Sequence, residues 1–540
     1  MEKVVQVKTC KHCQSLFNIT DKDLEFYEKI SPSFKKYSVP TPTLCPDCRN
    51  QRRLSWRNEQ NLYRRKCSYT KKDIISMYSP DKDLIVYDKD YWNSDKWDVM
   101  DYLDIDFKSF FEQFIYLLYN TPIPSLTITY DSENSDYQVY SKMKNCYMIS
   151  ASWDCENTMY STRLIKTVNV FDSIDSTLER CYQIINSENC YACLYVINSS
   201  NSQNCLFSYD LTNCSNCILC NNLVKSYCIE NIQYSKDEYE TKSKKLKIEL
   251  LKWNPLNKIL KSINRDLMMI CEDSVDNLKN CKNCINCFHF EESENCKYSE
   301  NGMCYNSYDR VENLYFGYEI LDTINATTNC FSISCYTNDN IYYCINCHNS
   351  SNLFGCLLKN KSYCIFNKQY TKEQYEELVP KIIENMIHTD WEFFPSKLSP
   401  FYNETAAMEY LLLNQKDAIN QFNWLIYQQP LPKVQKTINA NKLPNNIDDI
   451  PDDILNRAIE CEISKKPFKI VRQELDFYKK NNIPIPKRHP SIRHIDRIDL
   501  SNPKKIFDRK CDKCINIKTT YSPDREEKVY CEKCYNNEVY

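Results

Sequence analysis

Between residues 125 and 388 apolar side chains come in brief alternating runs, with no stripe at helical spacing. Asn-Cys steps recur through the tract: Asn145-Cys146, Asn189-Cys190, Asn204-Cys205 and Asn213-Cys214 in its first part, Asn280-Cys281, Asn295-Cys296, Asn329-Cys330 and Asn346-Cys347 in its second. Cys190, Cys205 and Cys220 recur at 15 residues, as do Cys281 and Cys296. So short a period predicts a β-solenoid, with small side chains stacked inward from coil to coil. Asn suits the corners because it tolerates left-handed backbone and bonds its own main chain.

The tract is doubled. "SYCIENIQYSKDEYE" from Ser226 matches "SYCIFNKQYTKEQYE" from Ser362, which sets Cys220 on Cys356 and Tyr182 on Tyr318. Each copy ends in a capping box, Ser235-x-x-Glu238 and Thr371-x-x-Gln374. Helices over 235–253 and 371–388 should cover the open solenoid ends, whose bare strand edges would otherwise aggregate. Phe107, Phe110, Phe111, Phe114 and Leu118 fall at helical spacing, and predict a helix packed against the mouth of the first solenoid. The polar, Pro-containing run from Asn441 to Asp453 reads as a linker. The expected plan is a mainly β chain with helical caps. It comprises a zinc module (1–92), a helical connector (93–124), two β-solenoids (125–253 and 254–388), a second connector (389–453) and a zinc-ribbon module (454–540).

The two ends repeat each other. "FNITDKDLEFYEK" from Phe17 reads against "FKIVRQELDFYKK" from Phe468, Arg65-Lys66-Cys67 against Arg509-Lys510-Cys511, and "YSPD" at Tyr78 against "YSPD" at Tyr521. Each end holds two Cys-x2-Cys pairs: Cys10, Cys13, Cys45 and Cys48 at the start, Cys511, Cys514, Cys531 and Cys534 at the finish. Four thiolates on tight turns make a closed tetrahedral site, so two structural Zn²⁺ ions per chain are expected. Each end also carries the decayed counterpart of the other's set. Cys461, Ser464, His489 and Ile492 stand in the places of Cys10, Cys13, Cys45 and Cys48. Cys67, Thr70, Asp88 and Tyr91 stand in those of Cys511, Cys514, Cys531 and Cys534.

The chain has 540 residues, 32 of them Cys, and no leading basic-plus-apolar segment or long apolar run. That points away from secretion and membranes, toward an intracellular protein with reduced thiols. Only three glycines are present, which tells against glycine-rich phosphate loops. The net charge of −3 gives no general attraction to polyanions, so a nucleic-acid site would have to be a local patch. The Arg-rich stretches supply candidates: Arg49, Arg52, Arg53, Arg57, Arg64, Arg65 and Lys66 with Trp56 and Tyr63 interleaved, and Arg493 and Arg497 in the last module. The plainer reading is a set of internally paired charges tethering module to solenoid. Cys214, Cys217 and Cys220, like Cys281, Cys284 and Cys287, have only part of an iron–sulfur spacing and read better as core. Three residues apart on a strand would face opposite ways, so chelation there would need a corner. No catalytic constellation stands out among the six histidines or the acids.

The stretches "CPDCRNQRR", "YWNSDKWD", "FFEQF", "SYCIFNKQYTKEQYE", "FYNETAA" and "CEISKKPFKIVRQELDFYKK" resemble those of a family of Cys-rich, zinc-ribbon proteins from reduced-genome bacteria and some large DNA viruses. The resemblance spans most of the chain. It implies zinc binding and brings no activity with it, and an Asn-, Lys-, Ile- and Tyr-rich composition fits an AT-rich genome of either kind. The expected function is a non-enzymatic zinc-stabilised scaffold, intracellular or virus-associated, touching nucleic acid or a nucleoprotein through the Arg-rich segments. A particle component that binds protein alone is the rival, and a polymer-acting solenoid enzyme the third reading. Oligomeric state is left open.

Overall fold

The computed structural model describes residues 3–30, 40–251 and 330–539, with short gaps at 59, 100–103, 105–108, 127–131, 136, 138–141, 336–337, 390, 428–435, 502–506, 515 and 525–527. The first tract is a parallel β-solenoid, with strands stacked in chain order in one 10-stranded sheet. Its coil is 12 residues and not 15: Tyr147 pairs with Met159, Tyr182 with Leu194, Leu194 with Leu206, and Leu206 with Ile218. Three of its described coils are one residue shorter, pairing Glu133 with Lys144, Ile174 with Ile185 and Ser215 with Ser226. A left-handed residue falls at every third position along most of the tract, as at Asn198, Asn201, Asn204, Phe207, Asp210 and Asn213. Each coil therefore has four short sides. The 15-residue cysteine spacing is one coil plus one side.

This corner rhythm explains the cysteines. A corner every three residues turns Cys214, Cys217 and Cys220 all inward, and all three are buried. Cys181, Cys193, Cys205, Cys217 and Cys228 stack as one internal ladder. The inward residue must also serve the backbone. The N–H of Cys193 donates to Cys181 Sγ at 3.4 Å, that of Ser199 to Ser187 Oγ at 3.0 Å, and that of Cys220 to Ser208 Oγ at 3.2 Å. The thiol of Cys193 donates in turn to the carbonyl of Tyr191, two residues back. Small polarisable or hydroxylic side chains thus fill a narrow core and satisfy buried amides together. In the folded protein Cys13 and Cys514 are exposed and Cys534 half-buried, while the ladder is enclosed. A thiol reagent should therefore label those outer positions in metal-free protein while the ladder stays unmodified until denaturant is added, as peptide mass mapping would show.

The second tract repeats the coil. Cys330 pairs with Tyr342, Asp339 with Ser351, and Ser351 with Ser362. Its earlier residues, including Cys281, Cys284, Cys287 and Tyr318, lie outside the described residues. Both tracts finish alike, in a short antiparallel hairpin and then a helix, Lys236–Leu251 and Lys372–Thr389. Ser235 and Thr371 cap those helices with Glu238 and Gln374 reaching back.

One corner column of the second tract runs Phe331, Tyr343, Gly355, Phe366. Gly355 is left-handed at φ +67°, and a Cβ there would lie 3.0 Å from Phe366 and 3.1 Å from Phe110. The ring of Phe110 sits in the gap the glycine leaves, 4.9 Å from Tyr343 and 5.2 Å from Phe366. The helix Phe110–Asn120 therefore packs on the second solenoid and not on the first, because the aromatic corner column with a missing side chain is there. Phe107 lies outside the described residues. Gly355→Ala should cost about 1–3 kcal/mol in denaturant unfolding. Gly355→Asn, which tolerates the corner, should not recover it.

The end modules dock crosswise. The first module packs with the second solenoid, and the last module with the first. Lys359 Nζ donates to the carbonyls of Trp92 and Ser94 at 2.6 and 2.7 Å. On the other side Phe477 stacks on Phe171 at 4.1 Å, and the hydroxyls of Tyr209 and Tyr521 meet at 2.7 Å. The run Asn441 to Asp453 is no linker. Leu443, Ile447 and Ile450 are buried in the last module's core, and two short 3-10 helices, Ala440–Lys442 and Ile447–Asp449, carry them there. Among the described residues no helix is long and apolar enough to cross a membrane.

His348 is buried at the first module's contact, edge-on to Trp92 with ring centroids 5.1 Å apart. Burial, reinforced by Lys359, pushes its pKa down to about 4. The unfolded chain then binds more protons than the folded one between about 4 and 6.5. Stability from this group is complete above pH 6.5 and falls as pH drops toward 4, by on the order of 3 kcal/mol. His348→Gln should flatten that part of a pH–stability profile.

Candidate metal centres

Four turns of one design occur, two at each end. In each, a buried Cys opens a tight turn after a strand, and a backbone N–H 20 to 35 residues later donates to its sulfur. Cys45 N–H meets Cys10 Sγ at 3.3 Å, Cys531 N–H meets Cys511 Sγ at 3.2 Å, His489 N–H meets Cys461 Sγ at 3.2 Å, and Asp88 N–H meets Cys67 Sγ at 3.2 Å. Gln14, Lys71 and Lys465 take the left-handed conformation at the same place in three of the turns. The donating residue stands immediately before a helix every time: Pro46–Leu54, Lys89–Asn93, Pro490–Ile498 and Glu532–Val539. The third and fourth ligand positions thus fall at a helix N-terminus, whose N–H groups favour thiolate.

In two of the four the sulfur set is complete. The sulfurs of Cys10, Cys13, Cys45 and Cys48 lie within 4.8 Å of one another, as do those of Cys511, Cys514, Cys531 and Cys534, and each group could hold a metal ion. Cys13 and Cys45 are 3.6 Å apart, Cys514 and Cys531 3.4 Å, and Cys534 and Cys514 3.5 Å. Four thiolates about 2.3 Å from one tetrahedral ion would stand about 3.8 Å apart, so the donor sets fit such an ion. The thiol of Cys48, donating to Cys45, holds Cys45 down to about 4. At Cys511 burial opposes ionisation, but the N–H groups of Cys531, Lys513 and Cys514 prevail and bring it to about 6. Among the described residues no third group of this kind occurs, so the solenoid thiols described do not form one.

The other two turns keep the scaffold without the ligands. Around Cys67 the space is taken by rings, with Tyr69 stacked on Tyr91 at 4.7 Å. At the other, His489 spends Nδ1 on capping its own helix through Ser491 N–H at 3.2 Å.

Most of the Arg-rich candidates follow the plainer reading, that of internally paired charges. Arg49, Arg52, Arg53 and Arg57 are 2–5% exposed, Arg493 is 4% and Arg497 1%. None of the six reaches a surface. Arg52 pairs with Glu392 at 3.4 Å, and Arg49 donates to Tyr27 at 3.4 Å. Arg493 and Arg497 both meet the fully buried Asp172 of the first solenoid, Arg497 at 3.0 Å. Arg493 also faces Glu474 at 3.6 Å, whose oxygens accept from Tyr478 and Tyr160. Arg65 is half-buried and donates to the carbonyls of Ser79 and Leu84. Arg64 and Lys66 are exposed, Arg64 donating to Tyr137 and Lys66 to Asp73. Six of the nine candidates are enclosed, and among these Arg52, Arg493 and Arg497 are struts to carboxylates distant in sequence.

Asp172 and Glu474 were not among the sequence candidates. One signal was present. Counted from the helix starts, Arg49 and Arg53 fall on Arg493 and Arg497, and the Arg49–Tyr27 bond recurs as Arg493–Tyr478 at 3.3 Å. A paired arginine kept at equivalent places in a duplicated module argues for structure before ligand.

No family model, curated protein or solved structure matches this chain.

Proposed function

We propose that the chain is a non-enzymatic scaffold whose end modules are held by zinc and whose solenoids display surfaces to protein partners. The observation that carries the choice of partner is the arginine burial: six of the guanidinium groups that would contact phosphates are enclosed, and Arg493 and Arg497 are held by Asp172 of the first solenoid. Zinc is favoured over iron because each quartet is closed, four-coordinate and placed on treble-clef-like turns, as structural zinc sites are. All the described cysteines are free, which suits a reducing compartment and therefore an intracellular protein.

The test is a titration of generic RNA and DNA at two salt concentrations, about 50 and 200 mM, where phosphate contacts change affinity most. The scaffold reading expects no salt-sensitive retention and no change in Arg64→Ala/Lys66→Ala. Tight binding that falls steeply with salt and is lost in that double variant would restore the nucleic-acid reading.

A further inference from the structure

The duplicated ends differ at one strand edge. In the last module strand Ala458–Glu460 carries neighbours on both sides. Pro467–Phe468 pairs antiparallel on one side, Ile459 opposite Phe468 and Glu460 opposite Pro467. Thr437–Asn439 pairs parallel on the other, Thr437 opposite Ala458 and Ile438 opposite Ile459, with the N–H of Ala458 donating to Lys436 O at 2.9 Å. The first module repeats the antiparallel half: Lys8 opposite Phe17 and Thr9 opposite Leu16. Among the described residues no equivalent of Thr437–Asn439 pairs with Val4–Thr9, which belongs to a two-stranded sheet.

The uncovered edge is also apolar. Val7 stands in the place of Ala458 and is 54% exposed, where Ala458 is 0%. Val4, Val5 and Leu16 are 47, 54 and 71% exposed. Natural proteins usually blunt such an edge with charge, Pro or a covering segment. Here the hairpin presents Val5, Val7 and Leu16, and an added strand would cover them.

We infer that the free edge of Val4–Thr9 receives an extended peptide segment of a partner protein, laid parallel as a third strand, with apolar side chains on the face it shares with Val7 and Leu16. Main-chain bonds supply affinity in this mode, and the alternate side chains supply selectivity. The last module shows what the occupant resembles: Thr437-Ile438-Asn439 followed by a segment that buries Ala440, Leu443 and Ile447 beside the module. The inference deepens the scaffold reading by naming a partner chemistry.

The probe is a fluorescein-labelled synthetic peptide of residues 436–456, titrated into the full chain and followed by anisotropy. Saturable binding is expected. Val7→Pro removes the N–H that stands where Ala458 donates, and should weaken binding at least tenfold. Val7→Ala keeps the N–H and should bind within about threefold of the parent. Because proline can also disturb the hairpin, Val5→Lys/Val7→Lys serves as a second variant: it leaves the backbone intact and should weaken binding comparably. Absence of binding, binding that the variants leave unchanged, or a concentration-dependent dimer abolished by Val7→Pro would each overturn the inference. Metal content reads the scaffold claim separately, so a chain with two zinc ions and no peptide binding refutes only the edge.

Discussion

Removing zinc from the purified chain with a strong chelator should unfold both end modules while the solenoids keep their β signal. Structural zinc in small modules contributes on the order of 10 kcal/mol. Around the first quartet, whose Cys13 is exposed, only Phe17, Ile19 and the partly buried Leu44 form the local apolar cluster, too little to replace that. The loss should be local first. The solenoid amides are paired coil to coil, and their interior contains no metal group among the described residues. Undocking should follow, because the docked surfaces are the modules' own helices. Far-ultraviolet circular dichroism with limited proteolysis would register cleavage near residues 10–50 and 510–535 and protection through 142–230. Solenoids that melt together with the modules would mean that docking, not coil stacking, holds the tracts.

Asp172→Ala should be the most damaging single substitution away from the quartets. The carboxylate is fully buried and meets Arg493 and Arg497, which are themselves enclosed. Removing it leaves Arg493 with Glu474 and Arg497 with the carbonyl of Tyr160, and burial already pushes Glu474 up to about 7 against the pull of Arg493. Breaking a buried ion pair from one side costs about 3–5 kcal/mol. Replacing all three partners at once, as Asp172→Leu/Arg493→Met/Arg497→Met, should recover part of that loss, because the desolvation of the charges disappears with them. Equilibrium unfolding in urea gives both numbers. A loss below about 1 kcal/mol for Asp172→Ala would mean water reaches the pair and the last module is loosely held.

The internal duplication, the metal quartets and the solenoid were legible in the sequence because each rests on short-range pattern: a Cys-x2-Cys turn, an Asn corner, a capping box. The coil length was misread because inward cysteines occur on several sides of each coil, so a spacing of one coil plus one side looks like a period. Phe110 was legible as a helical face, yet its partner was not, since Gly355 lies 245 residues further on and its meaning depends on the aromatic corners around it. The arginines show the same limit from the other direction. Arg493 and Asp172 are 321 residues apart, and no local rule tells a phosphate-binding guanidinium from one that clamps a distant carboxylate. The buried face of Asn441 to Asp453 was hidden by its composition, because Leu443, Ile447 and Ile450 are spaced along 3-10 turns among Asn, Asp and Pro.

Metal analysis of the purified chain and four single variants asks whether each complete quartet, and neither incomplete one, holds an ion. Two zinc ions per chain are expected, one in Cys45→Ser, one in Cys531→Ser, and still two in Cys67→Ser and Cys461→Ser, whose turns have the shape without the ligands. Iron in place of zinc, metal-free native protein, or loss of an ion in Cys67→Ser or Cys461→Ser would contradict that expectation.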